Sequence, residues 1–425
     1  MCNVTLVGRE QTKNLLVCES PASGAAMLRW LVLDLNSFFA SCEQQESPEL
    51  RGQPVIVVPT MAETTCAIAA SYPAKAFGIK TGTLVHEARR LCPEVKLVQA
   101  RHKLYVEYHH RILSAIDRHI PVEDVMSIDE VACRLDKVQH DLAVARGLAL
   151  AIKREIHSPV GECLTSSIGI SANKLLAKLA SNMQKPDGLV ILPPETLPGS
   201  IVHLELRDIP GIGPNMAARL QRAGITDIAA LWKCDSARLR LVWGGVAGAK
   251  MHELLHGADI ASPKTERSAI SHQHVLAPDD RSIDGAGLIM RQLLVRAAQR
   301  LRDDDYYCRR LQVDVKWLGR DQGSWTDKRS FAETHDTGFL LHVLQDLWAQ
   351  VPRGKPLRVG VALMGLVLRE LHQPDLFEKP REAKLVKAID AVNEKFGKGA
   401  LVYGEATSEH TSKIAFQRVP KVTEF

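Results

Sequence analysis

Three carboxylates carry the most specific chemistry in this 425-residue chain. Asp129 and Glu130 stand side by side in Ser127-Ile128-Asp129-Glu130, and Asp34 lies in Leu33-Asp34-Leu35-Asn36-Ser37-Phe38-Phe39. Each acidic position ends a short apolar run, 30–33 in one case and 122–128 in the other, which reads as a buried strand. An acid at a buried strand end is costly unless it is paired or metal-bound. Three converging carboxylates make a hard-oxygen site suited to Mg²⁺, which keeps waters and draws its other ligands from substrate phosphates. Two metals in such a cage are the machinery of phosphoryl transfer. An Asp-Glu pair alone reads as readily as a solvated turn, so the surrounding residues have to decide.

Phe38 and Phe39 follow the first acid and admit two readings. They are core aromatics at a helix start, or the backbone amides there bind phosphate while one ring packs against a sugar. Tyr72 and Lys75 lie one turn apart on an expected helix and face the same way. They are a surface pair, or a cation and its aromatic neighbour aimed at a phosphate. Lys185, in Met183-Gln184-Lys185-Pro186-Asp187-Gly188, follows Gly169-Ile170-Ser171-Ala172-Asn173-Lys174. Such lysines are usually solvated, yet two cations converging on a di-metal site would neutralise a triphosphate. Ile209-Pro210-Gly211-Ile212-Gly213, with Arg219 and Arg222 after it, reads as a helix–hairpin–helix whose glycines let backbone amides approach a DNA phosphate. Gln373-Pro374-Asp375-Leu376-Phe377 is a polar anchor with two apolar residues, which docks in a partner's groove or packs back on the body.

The elements that must position these groups follow from periodicity. Strands are expected over 28–34, 54–58 and 165–170, with helices over 38–46, 86–91, 103–119 and 141–157. Residues 122–135 read as two strands joined at the Asp129-Glu130 turn. Strand–helix–strand–strand–helix–strand order, with a large insertion after the first strand, predicts a ferredoxin-like α+β sheet. Pairing its central hairpin beside the first strand would bring Asp129 and Glu130 against Asp34. Residues 205–260 read as a small helical domain, and 262–266 as a linker. Strands over 268–276, 309–318, 325–333 and 357–368, with helices over 283–302 and 337–350, predict a second α+β unit. Residues 1–28 read as an extension, or as a start codon assigned too early.

The length predicts roughly three domains. Hydrophobic residues make up 45% and charged residues 24%, the balance of a soluble globular protein. No apolar run reaches spanning length, and no secretory layout opens the chain, so a membrane partner is not expected. Nine cysteines without a Cys-x-x-Cys pair fit reduced cytosolic thiols better than a disulfide framework or zinc site. A net charge of +5 mildly favours a polyanionic partner.

Taken together, the segments resemble the Y family of translesion DNA polymerases. The resemblance rests on 34–43, on Ala70-Ser71-Tyr72-Pro73-Ala74-Lys75-Ala76-Phe77-Gly78-Ile79-Lys80, on 127–130, and on 169–174 with Lys178 and Lys185. The hairpin at 209–213 stands where the family's thumb is expected, and the match runs in order over 29–370. Within the family the chain, by its tail, looks most like the catalytic subunit of bacterial polymerase V, with polymerase IV as the second choice in general build.

The resemblance implies a right-hand α+β multidomain polymerase: palm at 29–37 and 101–192, fingers at 38–100, thumb at 193–261 with its hairpin at 207–224, little finger at 267–370, and a tail at 371–425. It implies two Mg²⁺ ions held by Asp34, Asp129, Glu130 and the Leu35 carbonyl. Phe39 would be the steric gate for deoxyribose, and the Phe38 amide, Tyr72, Lys75 and Lys185 would hold the triphosphate. Lys75 stands where many relatives carry Arg, replacing a bidentate fork by a point charge. Gly211, Gly213, Arg219 and Arg222 would grip DNA, and Gln373, Asp375, Leu376 and Phe377 a sliding clamp. Implied partners are primer-template DNA and deoxynucleoside triphosphates, with accessory mutagenesis subunits or a recombinase filament left open. The implied location is cytoplasmic, at the nucleoid. The implied activity is low-fidelity translesion synthesis without proofreading. An inactive polymerase-like scaffold in a DNA-damage mutagenesis complex is the alternative; the presence of all three acids favours the enzyme. A general DNA-binding module would leave the carboxylates unexplained.

Overall fold

The computed structural model describes residues 27–261, 267–319 and 323–373, with isolated positions between 388 and 401. The expected linker, nearly all of the N-terminal extension, and Asp375, Leu376 and Phe377 lie outside the described residues. Those described fall into two compact units, one of 27–58 and 66–261, the other of 59–65 and 267–373.

The first unit opens with β1 (Trp30–Leu35), whose six side chains are all buried. After α1 (Phe38–Glu46) comes an inserted layer of β2 (Val55–Val58), β3 (Ala69–Ala70), α2 (Tyr72–Ala76), α3 (Val85–Leu91) and β4 (Lys96–Gln99). Its small sheet has the order β3-β2-β4, with β4 parallel to β2. Then follow α4 (His102–Asp117), the hairpin β5 (Val122–Val125) and β6 (Glu130–Arg134), α5 (Leu142–Glu155), β7 (Ser166–Ser171), α6 (Lys174–Met183) and β8 (Leu189–Ile191). The main sheet runs β5-β6-β1-β7-β8, with β1 antiparallel to both β6 and β7. Its first four strands in chain order therefore sit with the hairpin on one side of β1 and the last on the other, the ferredoxin-like order.

One detail corrects the expected turn. The reversal runs over 126–129 rather than centring on the acid pair: the Met126 and Ser127 amides both donate to the Glu130 carbonyl (2.9 and 3.1 Å), so Asp129 is the last residue of the turn and Glu130 opens β6. The physical reason is the neighbouring strand. The Leu35 amide donates to the Asp129 carbonyl at 2.8 Å, which extends the pairing with β1 as far as Asp129.

Gly169 on β7 sets how closely α6 lies on this sheet. A Cβ there would fall 2.0 Å from the Ala177 carbonyl oxygen and 2.3 Å from the Ser181 amide nitrogen, so only glycine fits. Beyond β8 the unit is helical: α7 (Pro214–Arg222), α8 (Ile228–Lys233), α9 (Ser236–Trp243) and α10 (Val246–Leu255). Asp227 and Asp235 cap α8 and α9 through their carboxylates, as short helices of this kind need. Asn173, which caps α6, also donates to the Leu254 and Ala258 carbonyls (2.7 and 2.9 Å), tying these helices to the sheet.

The second unit contains β9 (Ala269–Val275), α11 (Ile283–Asp303), β10 (Tyr306–Trp317), β11 (Ser324–Thr334), α12 (Thr337–Trp348), β12 (Pro356–Met364) and β13 (Val367–Leu368). Its sheet order is β11-β10-β12-β9, and the expected last strand is interrupted between β12 and β13. Leu311, Val313 and Val315 of β10 pack with Leu293, Leu294 and Ala297 of α11 and Leu340 and Leu344 of α12 in one core. Arg310, Gln312, Asp314 and Lys316 alternate with them and therefore stand on the opposite face.

Candidate active site

Asp34 is only 6% exposed, on the central strand of the main sheet, and the β1–β6 register sets it directly opposite Glu130. Buried carboxylates require a counter-charge, and α6 supplies it. The Lys178 ammonium donates to Asp34 Oδ2 and forms an ion pair with Glu130 Oε1 at 2.8 Å. Lys185, in the turn after α6, donates to Asp34 Oδ1 at 2.6 Å. Burial presses Lys178 toward deprotonation, but Asp34 and Glu130 outweigh it and hold its pKa above the ordinary lysine value. Asp129 faces a hydroxyl instead: Ser127 Oγ donates to its Oδ1 at 2.5 Å. Among the described residues no three Asp, Glu, His or Cys side chains cluster closely enough to hold a metal ion. Two acids are thus brought together around a cation, with the third adjacent along the backbone.

Beneath the acid pair, buried His109 of α4 donates from Nδ1 to the Ile128 carbonyl at 2.7 Å, holding the hairpin from below. Burial pushes this imidazole down to about 4, so it is neutral at physiological pH.

The turn between β1 and α1 gathers the other expected groups. Ser37 takes a left-handed backbone (φ 48°), an uncommon conformation for a non-glycine residue and one that clusters at functional turns. Lys75 donates to Ser37 Oγ at 2.8 Å and lies 4.3 Å from the Tyr72 ring centroid. Burial and the neighbouring Lys185 lower the Lys75 pKa, partly offset by Asp34. Burial, then Asp34, push the Tyr72 hydroxyl up to about 12. Phe38 is buried, and Phe39 is half-buried and stacked on Tyr105 at 4.2 Å. Leu35, buried at the end of β1, lies beside Asp129.

The hairpin glycines differ. Gly211 has φ +92°, which L side chains rarely adopt, whereas a Cβ on Gly213 would meet nothing within 4 Å. Gly213 is thus not demanded by strain or packing; it leaves open space in front of α7. Arg219 spends one N–H on the Val242 carbonyl, and Arg222 one on the Ala218 carbonyl, so neither guanidinium is wholly free for another partner. Gln373 is the one position of the tail motif that the structure describes.

Two family models match the chain: the impB/mucB/samB family over residues 33–182 and the C-terminal domain of that family over 267–376. The chain belongs to the Y family of DNA polymerases. This Y-family chain is accordingly a DNA-directed DNA polymerase. It is 37% identical to the DNA polymerase IV of Moorella thermoacetica over 86% of its own length and 93% of that protein's. With the DNA polymerase IV of Halorhodospira halophila the identity is 33%, over 81% and 97%. These relatives point to polymerase IV rather than to the expected polymerase V likeness. A Y-family polymerase chimera of Dbh and Dpo4 shares the fold at a TM-score of 0.67 and 23% identity, covering 80% of this chain and 99% of that one. An insertion ternary complex of Dbh DNA polymerase gives 0.55 at 23%, over the same shares. No helix among the described residues is long and apolar enough to cross a membrane.

Several residues of this Y-family polymerase went without a role in the sequence reading. Lys178 stood in a motif with none, because a helical lysine reads as solvated. Asn36 is buried, and its Oδ1 accepts from the Asp187 amide (2.8 Å) and Thr165 Oγ1 (3.2 Å) while its Nδ2 donates to Ser167 Oγ (3.0 Å). Lys153 donates to the Ser166 and Asp187 carbonyls and to Asp187 Oδ1 (2.5, 2.8 and 2.7 Å), so both residues fasten the turn that carries Lys185. Polar types inside an otherwise apolar strand–turn pattern were the available signal.

Proposed function

We propose that the enzyme carries out low-fidelity translesion DNA synthesis by two-metal-ion nucleotidyl transfer at Asp34, Asp129 and Glu130. The observation that carries this reading is the pairing of Asp34 with Glu130 on adjacent central strands, with one ammonium held between them. Two carboxylates that already share a cation offer hard-oxygen donors of the kind Mg²⁺ takes, and Asp129 and the Leu35 carbonyl complete the donor set. The bound Mg²⁺ would activate the primer 3′-hydroxyl and stabilise the pyrophosphate leaving group.

The chain's own residues do the positioning. Lys185 and Lys75 at the Ser37 turn neutralise the triphosphate, with the Tyr72 hydroxyl and the Phe38 amide as hydrogen-bond donors. Phe39 excludes a ribose 2′-hydroxyl. The Gly211–Gly213 hairpin approaches a DNA phosphate through its amides, the open space at Gly213 supporting that role. Residues 29–37 and 101–192 serve as palm, 38–100 as fingers, 193–261 as thumb and 267–370 as little finger, the last on the major-groove side of the DNA. Gln373–Phe377 would dock on a sliding clamp.

Primer extension with Mg²⁺ on intact and abasic templates tests the reading. Wild type extends both, and Asp129→Ala extends neither while still binding primer-template. Retained synthesis by purified Asp129→Ala sinks the site assignment. No extension by folded, DNA-binding wild type, even with clamp added, favours the scaffold alternative or an obligatory missing partner.

A further inference from the structure

A steric gate discriminates only as well as its ring is held, because a ring that yields cheaply admits the larger sugar. The first unit contains a support for the ring of Phe39. It lies almost flat on the ring of Tyr105, at 4.2 Å between centroids and 13° between planes. Phe38 (5.9 Å, 48°) and His102 (6.4 Å, 64°) meet it only obliquely.

Tyr105 is itself pinned. Its ring is fully buried, and its hydroxyl donates to Glu43 Oε1 at 2.6 Å and accepts from the Arg101 amide at 3.1 Å. The Glu43 side chain is 1% exposed, a depth at which a carboxylate persists only with charge and hydrogen bonds to match. Arg101 provides both: its Nε reaches Oε1 and Oε2 (3.2 and 3.0 Å), and its Nη2 also donates to Oε2. Glu43 lies one turn after Phe39 on α1, while Arg101 caps α4 and Tyr105 is in its first turns. This ion pair, buried at Glu43 and half-exposed at Arg101, thus fastens α1 to α4, and the stacked rings are the end of that fastening nearest the site.

We propose that Glu43 and Tyr105 are positioning residues for sugar selection, holding the Phe39 ring through the chain Arg101–Glu43–Tyr105–Phe39. This rests on Phe39 being the gate. A merely structural role would lower the use of both sugars together and leave their ratio unchanged. A positioning role lowers the ratio itself, since the loosened ring admits the ribonucleotide.

The experiment measures kcat and KM for a deoxynucleotide and the matching ribonucleotide in Tyr105→Leu, Tyr105→Phe, Glu43→Gln and Phe39→Ala. In Tyr105→Leu the ratio of kcat/KM values falls about tenfold, the upper worth of one aromatic pair. The change comes chiefly from a lower ribonucleotide KM. Tyr105→Phe keeps the ring and loses the tether, so it and Glu43→Gln fall less, by about threefold. If Phe39→Ala leaves the ratio unchanged, the gate reading fails. If Phe39→Ala collapses the ratio while folded Tyr105→Leu and Glu43→Gln keep that of wild type, this proposal alone is overturned. Should Tyr105→Leu not fold, the ratios of Tyr105→Phe and Glu43→Gln decide the matter in the same way.

Discussion

The two units each contain a strand–helix–strand–strand–helix–strand run, yet they wire it differently. In the first, the opening strand β1 lies inside the sheet, between β6 and β7; in the second, the opening strand β9 is an edge and the closing strand β12 lies inside. The difference decides what each sheet can do. An acid on an interior strand can meet a second acid on its neighbour, as Asp34 meets Glu130, and both then need a shared cation. On β10 of the second sheet the charged side chains Arg310, Asp314 and Lys316 stand on the face away from the helices. Arg329 of β11 lies on the helix face and pairs with Asp346 of α12 at 2.5 Å. Asp314 lies 3.7 Å from Arg358, the loose spacing of a solvated surface pair. One sheet is built to concentrate charge, the other to spread it over a surface.

The largest stability effect expected from this contrast is at Lys178. Lys178→Met leaves Glu130 without its ammonium and Asp34 with Lys185 alone, and breaking a buried pair from one side costs about 3 kcal/mol. Denaturant unfolding in EDTA should show that loss, and added Mg²⁺ should recover a good part of it. Arg358→Met in the second sheet should change stability by less than about 1 kcal/mol with or without Mg²⁺. Equal losses at both positions would erase the distinction.

Glycines sharpen it further. Gly169→Ala drives a methyl into the backbone of α6, so about 2 kcal/mol of destabilisation is expected from overpacking. At Gly360 the nearest obstacle is the Asp314 carboxylate, 2.6 Å away, which sits on a side chain able to turn. Gly360→Ala should therefore cost about half as much. Thermal melts of the two variants, side by side, give the comparison.

A smaller effect is expected with pH. His109 is neutral in the fold and its pKa is lowered to about 4, so the unfolded chain binds the extra proton first as pH falls. Its stabilising contribution is full above about 6.5 and is lost progressively down toward 4, at no more than about 1.4 kcal/mol per pH unit. His109→Gln should flatten that part of the melting profile. An unchanged slope between pH 6.5 and 4.5 would count against the buried neutral imidazole.

Much of this was legible in the chain. The helix at 38–46 coincides with α1, and the strands around Asp34 and Gly169 lie within a residue or two of β1 and β7. Local pattern sufficed because those segments are apolar and uninterrupted. The strand β4, half-exposed and containing Lys96 and Gln99, lacked that pattern and was missed. Glu43 reads as an ordinary helix acid; only tertiary packing puts Arg101 and Tyr105 around it. Lys178 likewise gains its role from how closely Gly169 lets α6 approach. The different order of the second sheet was not readable at all, since both units share one succession of elements and pairing is decided by contacts distant in sequence.

The most direct test of the charge-concentrating sheet is single-turnover nucleotide addition with Mg²⁺ by Glu130→Gln, beside a Lys316→Ala/Lys328→Ala double variant of the second sheet, with primer-template affinity measured for both. Glu130→Gln should lose roughly 10³-fold or more in rate at near-normal DNA affinity. The double variant should keep its rate at saturating DNA and lose affinity with a shallower salt dependence. A Glu130→Gln enzyme within about tenfold of the wild-type rate, far short of the loss expected for a metal-site acid, would contradict the account.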